Sequence, residues 1–266
     1  MALNFIRNKD VVLHVGRTPR GGGRPIVFIN SLGTDGRIWN AVAERLGAQF
    51  ACHTYDKRGH GLSDAPPAPY RLEEHASDLG AVLDHFRLEK PILCGLSVGG
   101  MIAQLFTARH PERVGALILS NTAHIIGPPD IWHERIAAVR ANGIESLADG
   151  VMQRWFSPGY RAECPTELRG WRNMLVRTPV EGYVGTAAAI AAEDLTESTR
   201  GIRAPTLCIA GSEDGSTPPA LMRQLHALIG RAKFELIDGV GHIPCVERPD
   251  RVADLIATFI KESGID

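Results

Sequence analysis

Apolar residues along this chain fall into two alternating rhythms over roughly its first 120 positions. Residues 3–15 (LNFIRNKDVVLHV) alternate apolar and polar around Asn8-Lys9-Asp10, which predicts an opening β-hairpin. A glycine-rich break, Gly21-Gly22-Gly23-Arg24-Pro25, precedes IVFIN, a short, mostly apolar run of the kind that fills a buried parallel strand. A helix-like stretch at 37–46 leads to a strand at 50–56 (FACHTYD). Next comes a helix over 73–87, with Leu72, Ala76, Leu79, Leu83 and Phe86 on one face. The strand PILCG, a helix at 98–109 and the strand VGALILS (114–120) complete the run. Buried strands alternating with helices predict an α/β fold: a mostly parallel sheet with helices on both faces.

The rhythm stops at about residue 122 and resumes at about 203. Between them lie helical patterns at 131–141, 144–156, 165–176 and 184–193, broken by Pro and Gly, with no convincing strand. The strand TLCIA (206–210), a helix at 218–229, the strand KFELI and a closing helix at 249–261 follow. In that last helix Val252, Leu255, Ile256, Phe259 and Ile260 form one apolar stripe. The expected organisation is an α/β core of residues 1–121 and 203–266 with a helical insertion over 122–202.

Composition narrows the partners. Of 266 residues, 29 are basic and 30 acidic, and no basic stripe is visible, which argues against nucleic acid. No apolar run approaches a membrane span, and MALNFIRNKD lacks the features of a signal peptide. The five cysteines are scattered without a C-x-x-C pair, which speaks against a disulfide framework or a zinc site and for a reducing cytoplasm.

Gly95-Leu96-Ser97-Val98-Gly99 fits G-x-S-x-G between an apolar strand and an amphipathic helix. A tight strand-to-helix turn there would lift Ser97 above the sheet as a nucleophile. Serine needs a base held by a third group, and in such folds the chain order is serine, acid, histidine. Asp214, in GSEDGSTPP just past TLCIA, is the expected acid, with its neighbour Glu213 as the competitor. His242, in a glycine-flanked loop after KFELI, is the expected base. All three fall at strand carboxyl ends, where open α/β sheets gather catalytic groups. Backbone N–H groups of Val98, at a helix start, and of Leu32, in the loop after IVFIN, are the expected oxyanion donors.

With these segments and YDKRGHGLSD (55–64), ARHPERVGALILSNT and GHIPCVERPD, the chain resembles the α/β-hydrolase superfamily over nearly its whole length. The resemblance implies an eight-stranded sheet with a helical cap insertion and a serine rather than an aspartate nucleophile. Where many relatives carry His-Gly at the oxyanion loop, this chain has Asn30-Ser31. The run NSLGT with a following tryptophan, together with DKRGHG, GLSVGG and SEDGSTPP, is similar to 3-oxoadipate enol-lactonases. That resemblance implies hydrolysis of a small anionic enol-lactone in the β-ketoadipate route, with no metal or organic cofactor. The insertion carries three of the four tryptophans, and arginines but no lysine. Trp132, Trp155 and Arg135, one helical turn beyond Trp132, are the expected substrate contacts. A carboxylesterase, a C–C bond hydrolase and a perhydrolase are alternatives within the class. A non-catalytic small-molecule receptor is the alternative outside it.

Overall fold

The structure, a computed structural model, describes residues 4–18 and 21–265. Leu3 of the expected hairpin, and Met1 and Ala2 of the segment read for a leader, lie outside them. The alternating N-terminal segment pairs as β1 (Asn4–Asn8) and β2 (Val11–Arg17), antiparallel to each other. Then follow β3 (Gly23–Ile29), a 3₁₀ turn at Gly36–Trp39, α1 (Asn40–Leu46), β4 (Phe50–Tyr55), α2 (Leu72–His85), β5 (Ile92–Leu96), α3 (Val98–Arg109) and β6 (Ala116–Ser120).

After β6 the described residues hold helices and no strand until the sheet resumes. These are α4 (Pro129–Asn142), α5 (Ala148–Trp155), α6 (Pro158–Glu163), α7 (Pro165–Val176), α8 (Val180–Ala191) and α9 (Thr196–Arg200). The core then closes with β7 (Thr206–Gly211), α10 (Pro219–Leu228), β8 (Lys233–Ile237), α11 (Pro244–Glu247) and α12 (Pro249–Glu262). Helices α4 and α8 pack on each other, whereas α9 packs on α3 and α10 and so sits with the core. Among the described residues no helix is long and apolar enough to cross a membrane.

The eight strands form one sheet in the order β1-β2-β4-β3-β5-β6-β7-β8, antiparallel only at β1-β2 and β2-β4. Strands β5, β6 and β7 are buried at every position because helices cover both faces, which is why they read as continuous apolar runs. Helices α1 and α12 pack together, as do α2 and α3. The stripe of α12 from Val252 to Ile260 is withdrawn from solvent. Each such side chain contributes about 1.5–3 kcal/mol by its burial.

Candidate active site

The parallel strands deliver their carboxyl ends to one edge of the sheet. One residue, Ser97, separates the last residue of β5 from the first of α3. Its φ of 57° and ψ of −122° lie where a side chain other than glycine is strained, at a cost of about 1–3 kcal/mol. The turn closes because its flanks lack Cβ atoms. A Cβ on Gly95 would stand 2.3 Å from Gly99 O, and one on Gly99 would stand 2.4 Å from Ile29 O. Two bonds tie the strained turn to the end of β6 and the residues after it: Ser97 N donates to Ser120 O (3.0 Å) and Thr122 Oγ1 donates to Ser97 O (2.6 Å).

Asp214 and His242 meet beyond β7 and β8. His242 Nδ1 lies 3.0 and 2.9 Å from the two Asp214 carboxylate oxygens, while Glu213 points to solvent. Asp214 also accepts from the Ser216 and Thr217 amides (2.7 and 2.9 Å), Thr217 Oγ1 (2.7 Å) and Asn121 Nδ2 (2.9 Å). Burial alone would raise its carboxyl pKa, but His242, Asn121 and the Thr217 amide overcome that and hold it below the usual range. The ring's hydrogen bonds are all at Nδ1, which leaves Nε2 for the Ser97 side. Among the described residues Ser97 Oγ and His242 are not yet hydrogen-bonded, a contact that in unliganded sites commonly tightens only around substrate.

The insertion is stitched to both of these loops. Gly215 N donates to Arg154 O (3.2 Å) and His242 N to Trp155 O (2.8 Å). Glu247 accepts from the Ser157 amide (3.1 Å), Ser157 Oγ (2.5 Å) and the Gly241 amide (3.0 Å). The end of α5 is therefore placed by the loops that carry Asp214 and His242.

On the other side of Ser97, the loop after β3 is gripped from beneath. Gly33 N donates to His60 Nε2 (2.9 Å), Thr34 Oγ1 to Ser31 O (3.0 Å), Lys57 Nζ to Ser31 O (2.6 Å) and Lys57 N to Asn30 Oδ1 (3.2 Å). Asn30 Nδ2 closes the loop onto Thr34 O. The Asn30-Ser31 pair thus braces the loop. The Leu32 and Val98 amides, expected as oxyanion donors, have no hydrogen-bond partner among the described residues.

Ser97, His242 and Leu32 line a cavity of about 220 Å³ that is roofed by Trp132, Arg135, Arg154, Trp155 and Tyr183. A larger hollow of about 760 Å³, between Gly22 and Arg113 at the opposite sheet edge, contains none of these groups. Trp132 and Arg135 share a helix face as expected, with the guanidinium 4.6 Å from the ring centroid, and Trp132 Nε1 donates to Ile126 O (2.5 Å). Trp171 lies elsewhere, bonded to Tyr160. The sequence reading missed Arg154. It lies on the last turn of α5, where nothing in the local pattern distinguishes it from a solvated arginine. Neither Arg135 nor Arg154 pairs with a carboxylate among the described residues. Burial and the neighbouring Arg135 charge both lower the Arg154 pKa, while burial pushes the Tyr183 phenol up against the pull of both arginines.

Comparison with known proteins agrees with this geometry. The model of the alpha/beta hydrolase fold family matches residues 24–249. The chain is 31% identical over 253 residues to 3-oxoadipate enol-lactonase 2 of Acinetobacter baylyi, covering 95% of this chain and 94% of that one. It is 34% identical over 236 residues to 3-oxoadipate enol-lactonase 1 of the same organism, covering 89% and 88%. Among solved structures, the enol-lactonase of Burkholderia xenovorans LB400 superposes with a TM-score of 0.93 at 34% identity, over 97% of this chain and 100% of that one. A serine elbow, an aspartate–histidine pair at the ends of neighbouring strands and a match over most of its length make this chain a member of the alpha/beta hydrolase fold family.

Proposed function

We propose that this protein is a serine hydrolase that opens a small acidic enol-lactone, 3-oxoadipate enol-lactone to 3-oxoadipate, through an acyl-enzyme, in cytoplasmic aromatic degradation by the β-ketoadipate pathway. The observation that carries the reading is one cavity holding Ser97 and His242 together with two arginines that have no carboxylate partner among the described residues. At about 220 Å³ it lies below the usual ligand-pocket range of roughly 300–1,000 Å³, which favours a small substrate over a long acyl chain. The named activities of the relatives support the same choice.

Ser97 Oγ attacks the lactone carbonyl carbon as His242 Nε2 takes its proton, and Asp214 steadies the imidazolium through Nδ1. The Leu32 and Val98 amides receive the oxyanion. When the ring C–O bond breaks, the enol oxygen leaves with both bonding electrons and is protonated by His242. The enol then tautomerises to the ketone while its carbon chain stays attached as the acyl group. Water, deprotonated by His242, attacks the ester carbon and releases Ser97 and the diacid. The substrate's own carboxylate is met by Arg154 and Arg135 against the Trp132 face, because an unpaired buried carboxylate is costly to desolvate. Side chains, backbone amides and water suffice for the cycle.

Ser97→Ala tests the reading. Turnover of the enol-lactone should fall on the order of a million-fold with the fold intact. Retention of more than a few per cent would remove Ser97 from the chemistry.

A further inference from the structure

Lys57 is among the largest fully buried side chains of the molecule, with none of its surface exposed. Burying an ammonium is costly unless it is paired, yet the neighbouring carboxylates have other partners. Asp56 accepts from the Gly36 and Leu62 amides and from His14, and Asp35 is engaged by Arg37. Among the described residues the Lys57 ammonium makes one hydrogen bond, to the neutral Ser31 carbonyl at 2.6 Å. That carbonyl belongs to the same peptide unit as the Leu32 N–H.

We propose that Lys57 is a positioning residue of the oxyanion hole, gripping the Ser31 carbonyl so that the Leu32 N–H at the other end of that peptide is aimed and polarised toward the reacting oxygen. The inference rests on the serine-hydrolase reading above. A peptide unit is rigid and, here, trans, so anchoring its C=O fixes the direction of its N–H. A charged donor on the carbonyl oxygen also draws electron density through the amide and makes the N–H a stronger donor.

The surrounding bonds serve the same end. Thr34 Oγ1 reaches the same carbonyl (3.0 Å), and His60 takes the next amide, Gly33 N (2.9 Å), which leaves the Leu32 N–H as the donor without a partner among the described residues. Burial pushes Lys57 well below its ordinary range, with Asp56 and Asp35 opposing. An oxyanion forming one peptide unit away adds a negative charge that is present only as the reaction proceeds. Stabilisation of that kind grows on the way to the transition state and so enters kcat rather than substrate binding.

The test compares Lys57→Met with wild type on three readouts: steady-state kinetics, inhibition by butylboronic acid and inhibition by succinate. The boronic acid forms a tetrahedral anion on the serine, whereas succinate needs only the arginines. Lys57→Met should lower kcat roughly ten- to a hundredfold, somewhat less than loss of a whole oxyanion donor. Boronate affinity should fall by a similar factor, while KM and succinate inhibition stay within about threefold. Unchanged kcat, or succinate binding that falls in step with boronate binding, overturns the proposal in favour of a merely structural lysine. Should Lys57→Met fail to fold, Thr34→Val removes a second side-chain donor to the same carbonyl and leaves only the longer one from Asn30 Nδ2 (3.3 Å) beside Lys57. It must show the same selective loss of kcat and boronate affinity, at smaller size, and no loss there also overturns the proposal. Ser97→Ala runs alongside: a boronate adduct persisting in it breaks the serine reading, whereas its loss there with Lys57→Met unaffected breaks only the role given to Lys57.

Discussion

Arg58 and Arg154 both withdraw a guanidinium from water, in opposite company. Arg58, 7% exposed at its side chain, donates from Nε and Nη2 to the two Asp78 oxygens (2.6 and 3.0 Å) and from Nη1 to Glu74 (2.7 Å). Burial lowers its pKa, but Asp78 and Glu74 more than reverse that, so the charge is secure and the 56–64 loop is tied to α2. Arg154 is half-buried beside a second cation, Arg135, and both burial and that neighbour push its pKa down. On the outside of the same insertion two arginines are paired as Arg58 is: Arg140 meets Glu181 at 3.0 Å and Arg172 meets Asp149 at 2.7 Å. Arg135 and Arg154, which have no such partner among the described residues, are set apart by their place: both line the cavity that holds Ser97 and His242. An uncompensated charge there lowers stability in the empty protein and favours an anionic ligand.

The largest expected effect separates the two arginines by stability. Asp78→Asn leaves Arg58 without its two-oxygen partner and should cost about 3–5 kcal/mol in urea unfolding, as breaking a buried pair does. Arg154→Gln removes a charge that has no carboxylate partner among the described residues and should stay within about 1 kcal/mol of wild type. Equal destabilisation by the two substitutions would erase the distinction. A smaller effect follows from supplying the missing anion internally. Ile131 is half exposed on the cavity rim. Ile131→Glu should lower kcat/KM for an acidic lactone by about tenfold, the size of one exposed-to-half-buried charge contact, and leave a neutral aryl ester nearly unchanged. A uniform loss on both substrates would point to blockage rather than charge.

The smallest effect comes from a pair whose cation can be titrated away. His14 Nδ1 lies 2.9 Å from Asp56 Oδ2, and the hydrogen bond to Asp56 raises the His14 pKa above its usual 6.5 against partial burial. A raised histidine pKa means that the contribution is complete below about pH 6.5 and is lost as pH rises through the folded value. The side chain is 22% exposed and solvent screens the pair, so the gain is at most about 1 kcal/mol. His14→Ala should therefore destabilise the protein at pH 5.5 and differ little from wild type at pH 9. A penalty of the same size at both values would assign it to packing.

Much of this is legible along the chain because it is written in local periodicity. Strand β8 and helix α7 fall on the residues whose pattern announces them, and the alternation around Asn8-Lys9-Asp10 becomes the β1-β2 hairpin. The preference for Asp214 over Glu213 also follows from position, one residue deciding which carboxylate turns inward. Three short helices, α6, α9 and α11, escape such a reading. They are too brief to show a stripe, although Ser157-Pro158 carries a readable start signal, a side-chain cap followed by proline. Arg154 and Lys57 lie beyond local reading for another reason. The backbone at Arg154 is fixed by a bond from Gly215 N, and the Lys57 ammonium by the Ser31 carbonyl, partners distant in sequence that only the assembled sheet edge brings together. The roof residues Trp132 and Arg135 are accessible because their i, i+3 spacing lies within one helix.

In the proposed function the cavity joins serine chemistry to recognition of a carboxylate, and a kinetic comparison of two rings can separate these parts. Wild type is assayed on an enol-lactone bearing an acetate side chain and on the same ring without the carboxylate, and both assays are repeated with Arg154→Gln and Arg135→Gln. In wild type kcat/KM should favour the acid by roughly ten- to a hundredfold or more, about 1.5–3 kcal/mol for a charge-assisted contact, and each substitution should erode that preference mainly by slowing the acid. Equal kcat/KM for the two rings in the wild-type enzyme would contradict it.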